Sequence, residues 1–155
     1  MPRTNLKSRF EATYVDTSVW CAYCFSQLES PGAMQWLQEA DLSRMGTAWW
    51  TETEFASALG IQLRKKALTQ PQARQSRERF ADLMGAVNRL NVVEADFLEA
   101  AAWAAQGGNG LRGGDALHLA VAQRHGCKVV ATLDQTMQQN ARKLGFRVIH
   151  FSQLQ

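Results

Sequence analysis

Three aspartates stand where one sequence pattern gives way to another. Asp16 follows the short apolar run Ala12–Val15, Asp134 follows Lys128–Leu133, and Asp115 follows the pair Gly113–Gly114. Each could simply cap a helix by accepting backbone N–H groups of its first turn. If the three junctions share one place in the fold, caps alone are a poor account. Carboxylates gathered together repel one another and resist ionising. A bound divalent cation removes that conflict, and hard oxygen ligands with no histidine or cysteine nearby suit Mg²⁺ or Mn²⁺ better than zinc. An acidic pocket in a chain of net charge +3 makes chemical sense if the cation bridges it to a phosphate. A further acid lies in Trp49-Trp50-Thr51-Glu52-Thr53-Glu54-Phe55. Either glutamate would suit the positive end of a helix dipole, and spacing does not choose between them.

Other reactive side chains read as structural. Cys21-Ala22-Tyr23-Cys24 is a C-x-x-C, but Cys127 is the only further thiol, so neither a four-thiolate zinc site nor a thioredoxin-like context is available. His118, one helical turn after Asp115, reads as a packed, hydrogen-bonded histidine, and His125 and His150 as exposed residues near element ends. A metal-independent ribonuclease working through histidines would need all three together, and nothing in their spacing does that. A phosphotransfer enzyme with an aspartyl nucleophile would want a second aspartate where Ser18 stands. Trp49 and Trp50 could stack on bases, though core packing or a dimer contact is the simpler reading.

The elements that must position these acids alternate along the chain. Ala12–Val15 reads as a strand, Val19–Gln27 and Ala33–Ala40 as helices, Arg44–Ala48 as a short strand weakened by Gly46. Thr51–Leu68 keeps a helical apolar spacing, Pro71 opens another helix, and Leu90–Val93 is a brief strand. Ala95–Gln106 is helical up to the Gly107–Gly110 loop, and Ala116–Arg124 ends at Gly126. Lys128–Leu133 is a buried parallel strand, Gln135–Leu144 a helix, and Arg147–Phe151 the last strand. Strands alternating with helices predict a three-layer α/β/α domain with a parallel, about five-stranded sheet. Ligands bind such sheets beyond the carboxyl ends of their strands, and Asp16 and Asp134 should project from that edge.

A chain of 155 residues with 46% hydrophobic content suits one domain with a single core. No apolar stretch reaches the ~20 residues of a membrane span. Arg3, Lys7 and Arg9 precede no apolar segment, so a secretory signal is not expected. Three cysteines suit a reducing cytoplasm rather than a disulfide framework. Between Leu63 and Leu90, Arg64, Lys65, Lys66, Arg74, Arg77, Arg79 and Arg89 face only Glu78 and Asp82, a cluster fit for a polyanion.

Four segments resemble the motifs of PIN domains, VapC toxins of type II toxin–antitoxin systems in particular: Tyr14-Val15-Asp16-Thr17-Ser18-Val19-Trp20, Thr51-Glu52-Thr53-Glu54-Phe55-Ala56-Ser57-Ala58-Leu59, Leu111-Arg112-Gly113-Gly114-Asp115-Ala116-Leu117-His118-Leu119-Ala120, and Val129-Val130-Ala131-Thr132-Leu133-Asp134. The resemblance runs from about Tyr14 to Ile149. It implies a tail over residues 1–12 and a single PIN-like domain over 13–155. It selects Glu54 over Glu52 and implies an Mg²⁺- or Mn²⁺-dependent ribonuclease. Asp16, Asp115, Asp134 and Glu54 would hold the metal, the aspartates directly or through water and Glu54 by holding a metal-bound water or orienting the attacking one, leaving 5′-phosphate and 3′-hydroxyl ends. Thr17, Ser18 and Thr132 would support the acids, and Arg112, Arg64, Lys65 and Arg74 would bind the RNA backbone. A homodimer neutralised by a cognate antitoxin is the expected assembly. A non-catalytic PIN-like binding module and a PIN nuclease without an antitoxin are the alternatives. Many relatives carry another acid just beyond the fourth motif. Here Gln135-Thr136-Met137-Gln138-Gln139-Asn140 has none, so one well-defined metal site is expected.

Overall fold

The computed structural model describes residues 12–25 and 30–151. The tail expected before residue 12 and the end of the first expected helix, residues 26 and 27, lie outside these. The described elements run β1 (Thr13–Val15), α1 (Thr17–Cys24), α2 (Pro31–Glu39), a 3₁₀ turn (Leu42–Arg44), β2 (Met45–Ala48), α3 (Trp50–Arg64), α4 (Gln70–Ala86), β3 (Asn88–Leu90), α5 (Glu94–Ala104), α6 (Gly113–Arg124), β4 (Val129–Ala131), α7 (Gln135–Lys143) and β5 (Arg147–Val148). The strands form one five-stranded sheet in the order β3-β2-β1-β4-β5. Every pairing is parallel, with Tyr14 opposite Gly46 on one side and Val130 on the other.

The pleat sorts side chains into two cores, because successive residues of a strand point to opposite faces. Tyr14, Ala48 and Val130 pack with Ala100 of α5, Leu117, Leu119 and Val121 of α6, and Met137 of α7. Val15, Met45 and Ala131 pack with Val19 and Trp20 of α1, Leu37 of α2, Phe55 and Leu59 of α3, and Phe80 and Leu83 of α4. Helices α1–α4 therefore cover one face and α5–α7 the other, the expected three layers. Phe55 and Phe80 stack at 3.9 Å with their rings 4° from parallel, joining α3 to α4. On the opposite face buried Asp96 accepts the Arg124 guanidinium (2.7 Å) and the Val93 N–H (2.9 Å), tying the start of α5 to the end of α6.

Several boundaries differ from the sequence reading, each for a local reason. The strand expected at Leu90–Val93 is Asn88–Leu90, because Val93 is taken up by the entry to α5 through its bond to Asp96. Helix α3 ends at Arg64 rather than Leu68, with Lys66 at φ 57 in the turn that follows. Gly46 lies inside β2, and a Cβ there would come within 2.9 Å of Leu90 Cδ1. The glycine that weakened the strand reading thus permits a close approach within the sheet.

Candidate active site

The carboxyl ends of β1 and β4, the two central neighbours, deliver Asp16 and Asp134. Asp16 continues the ladder by donating its N–H to Ala131 O (2.9 Å) and is the N-cap of α1. Its Oδ2 accepts from Ser18 N (3.3 Å), Ser18 Oγ (2.7 Å) and Thr132 Oγ1 (2.9 Å). Its Oδ1 is left to face inward, 3.5 Å from His118 Nε2. Asp134 caps α7 in the same divided way. Oδ1 accepts from Met137 N at 2.8 Å, while Oδ2 faces Arg112 Nη2 at 3.7 Å. Capping and site chemistry do not compete, since each carboxylate assigns one oxygen to the fold and turns the other away from it, Asp16 toward His118 and Asp134 toward Arg112.

Asp115 is not a cap. Helix α6 begins at Gly113 with Arg112 as its N-cap residue, so Gly113 and Gly114 are helical and Asp115 sits within the first turn. Among the described residues it accepts no hydrogen bond. Its partner is the largely exposed Arg112, whose Nε lies 3.7 Å from Oδ2. Burial, followed by the charges of Asp16 and Asp134, pushes the Asp115 carboxyl up to about 6.

Glu54 enters from α3. That helix starts at Trp50, which places Glu54 beyond the first turn, where the helix dipole is no reason for it. Glu52 turns outward to Arg89 (3.0 Å). Glu54 turns inward, and its Oε1 accepts the Thr17 hydroxyl at 2.8 Å and meets His118 Nε2. Burial pushes Glu54 up, but the bonds from His118 and Thr17 and the charge of His118 outweigh it, so the acid lies below the ordinary carboxylate range. Oε2 lies toward Gly114, where a Cβ would come within 3.3 Å of it.

Thr17, Ser18 and Thr132 therefore each bond one of the four acids, and Ser18 Oγ also accepts from Leu133 N at 3.0 Å. Of the basic residues, Arg112 stands at the acids. Arg64 and Lys65 are exposed at the far end of α3, Arg64 about 15 Å from Glu54 along the helix at roughly 1.5 Å per residue, and Arg74 is exposed on α4.

The absence of histidine from this site, expected from sequence, is overturned. His118 is fully buried among the acids, and its Nε2 and single oxygens of Asp16 and Glu54 all lie within 4.8 Å of one another. The local pattern correctly makes it a packed helix residue. What it packs against comes from β1 and α3, far away in sequence. Trp50 packs against the α5–α6 core, but Trp49, which precedes the first turn of α3, is 53% exposed with the Arg89 guanidinium 4.1 Å from its ring. Cys21, Cys24 and Cys127 are unpaired, and burial pushes their thiols up to about 12, 12 and 11, leaving them poor nucleophiles.

Among the described residues Asp16, Glu54 and His118 bring their donor atoms within 4.8 Å of one another, while Asp115 and Asp134 stand outside that group beside Arg112. Carboxylate oxygens of this kind, with a raised carboxyl near them, are the ligands a hard divalent cation takes. The family model described as "PIN domain" matches residues 13–143. No curated protein matches the chain. Among solved structures it is similar to VapC20 from Mycobacterium tuberculosis, a Sarcin-Ricin loop cleaving toxin, at 17% identity over 83% of this chain and 94% of that one, with TM-score 0.65. It is similar to FitAcB from Neisseria gonorrhoeae at 19% identity, 92% and 99% coverage and TM-score 0.66. A toxin–antitoxin complex from Klebsiella pneumoniae gives 17%, 90%, 97% and 0.60.

Proposed function

The chain belongs to the PIN-domain family, and on that premise we propose that it is a metal-dependent ribonuclease, the toxin of a type II toxin–antitoxin pair. The observation that carries the reading is the divided use of the carboxylates. Asp16 and Asp134 each commit one oxygen to the fold and turn the other toward the same edge, where Asp115 stands with no hydrogen-bond donor. A scaffold that needed caps alone has no use for charges that, added to burial, raise Asp115. The likeness to VapC20, a Sarcin-Ricin loop cleaving toxin, and to the Klebsiella toxin–antitoxin complex supports an RNA substrate and an antitoxin partner. A homodimer is part of the proposal, with Phe97 and Leu98, 55% and 65% exposed on α5, as apolar surface for it. The unpaired thiols suit a cytoplasmic setting, and no described helix is long and apolar enough to cross a membrane.

Asp16, Asp115, Asp134 and Glu54 would hold one Mg²⁺ or Mn²⁺, directly or through water. When bound, the cation would supply Lewis acidity that offsets charge on the phosphate and makes an attacking water more acidic. Glu54, ionised at neutral pH, orients that water. Ser18 and Thr132 keep Asp16 turned inward, and Thr17 does the same for Glu54. Arg112, exposed at the rim, meets the backbone phosphate, a positioning contact that reads no sequence. Water oxygen bonds to phosphorus as the P–O3′ bond breaks, leaving a 5′-phosphate and a 3′-hydroxyl. Arg64, Lys65 and Arg74 bind the strand further away.

The test is cleavage of structured and unstructured RNA with Mg²⁺, Mn²⁺ or EDTA, beside Asp115→Asn. Metal-dependent cutting with 5′-phosphate ends, reduced at least 100-fold in the variant, is expected. Cutting that survives EDTA would sink the carboxylate mechanism. Absence of both cutting and cation binding would leave a non-catalytic binding module.

A further inference from the structure

His118 has no part in the reading above, yet it is the most enclosed polar group of the site. Its ring stands edge-on to Tyr14, with centroids 5.6 Å apart, and both side chains are fully buried. The Tyr14 hydroxyl meets Nδ1 and also accepts the Ala48 N–H at 3.2 Å. The Glu54 carboxylate can only accept, so the imidazole hydrogen facing it resides on Nε2, and in the neutral ring Nδ1 accepts the Tyr14 hydroxyl. Nε2 then donates to Glu54 Oε1, beside the Thr17 hydroxyl on the same oxygen. Burial favours the neutral ring and the surrounding carboxylates favour the charged one. Both forms carry a hydrogen on Nε2, so the donation to Glu54 does not depend on which is present.

Resting on the metal-site reading, we propose that His118 is a positioning residue for Glu54 and not a ligand. Its Nε2–H, aimed by Tyr14, saturates Oε1 together with Thr17, so that Glu54 has only Oε2 left to serve the site. The cation is met by oxygen atoms alone although an imidazole lies among them. The Tyr14 anchor has a second consequence. Tyr14 belongs to the central strand and bonds the backbone of Ala48 at the end of β2, so the orientation of the imidazole is set by the sheet rather than by α6, which carries it. Partners of this kind outside the ligand set typically govern cation affinity or activity by 10- to 100-fold.

Mn²⁺ binding to the purified chain tests this without reference to turnover. Pulsed EPR of the Mn²⁺-loaded wild type should show no coupling to a coordinated imidazole nitrogen. His118→Gln, whose amide N–H can still reach Oε1, should bind Mn²⁺ within about 3-fold of wild type, and His118→Leu 10- to 100-fold more weakly. A coordinated-nitrogen coupling in the wild type would make His118 a ligand and overturn the proposal. Wild-type affinity in a folded His118→Leu would equally overturn it, by reducing the residue to core packing. Should His118→Leu not fold, the wild-type spectrum and the glutamine variant decide. Mn²⁺ binding without any RNA cleavage would defeat the nuclease reading alone, whereas absence of Mn²⁺ binding by the wild type would defeat both.

Discussion

With Asp16 and Asp134 facing it in a buried setting, Asp115 holds its proton up to about pH 6 in the folded chain, against 3.8 for an ordinary aspartate. Between those values the folded state binds a proton that the unfolded chain releases. Stability of the cation-free protein therefore falls as pH rises from about 4 through 6, by about 3 kcal/mol at an upper estimate. Asp115→Asn removes the repelling charge while keeping the size of the side chain. In EDTA at pH 7.5 its Tm should exceed that of wild type by several degrees, and the difference should vanish at pH 4 in thermal unfolding followed by circular dichroism. Added Mg²⁺ or Mn²⁺ should raise the Tm of wild type and leave the variant almost unmoved. An identical pH dependence in the two proteins would mean that Asp115 does not bear the repulsion.

The elements meet most tightly where the first turn of α6 passes Glu54. A methyl group on Gly114 would lie 3.3 Å from Glu54 Oε2 and 3.5 Å from Trp50 Nε1. Glu54 cannot easily retreat, because Thr17 and His118 hold its other oxygen. Alanine is otherwise the better helix former by up to ~1 kcal/mol. Gly114→Ala should thus leave Tm unchanged or higher while weakening Mn²⁺ binding several-fold, measured by calorimetry and titration on one preparation. Equal affinity in the two proteins would show that the bare backbone there is incidental. The same contacts explain what could be read from sequence. Strand ends are visible in apolar runs, which placed Asp16 and Asp134 at one edge. The preference of Glu54 over Glu52 depends on the rotation of α3 about its axis, set by Phe55 and Leu59 in the core, and only the family resemblance supplied it. His118 takes its partners 104 and 64 residues away, from Tyr14 and Glu54, a relation with no local signature. Val92 and Val93 have the composition of a strand, but the hydrogen bond into α5 overrides it.

Across the molecule, the four acids and the basic stripe of α3 and α4 stand apart. Among the described residues Arg112 stands at the acids, whereas Arg64 and Lys65 lie at the far end of α3 and Arg74 on α4, so on the nuclease reading a strand of several nucleotides would touch both regions. Replacing those three by glutamine should lower the salt dependence of single-stranded RNA binding by about 2 in log–log slope, at roughly 0.7 per phosphate contact. The cation affinity of the site should not change. An unaltered slope in fluorescence anisotropy would remove the stripe from the RNA path. The two faces of the sheet also divide the site in time. Asp16 and Glu54 belong to β1 and α3, in the first half of the chain, while Asp115 and Asp134 come with α6 and α7. A protein made from its amino end at a ribosome, itself built of RNA, has no complete set of acids until β4 emerges and pairs with β1. On the nuclease reading, the first half of the site alone has no activity, and the donor set exists only once α6 and α7 have docked against β1 and α3.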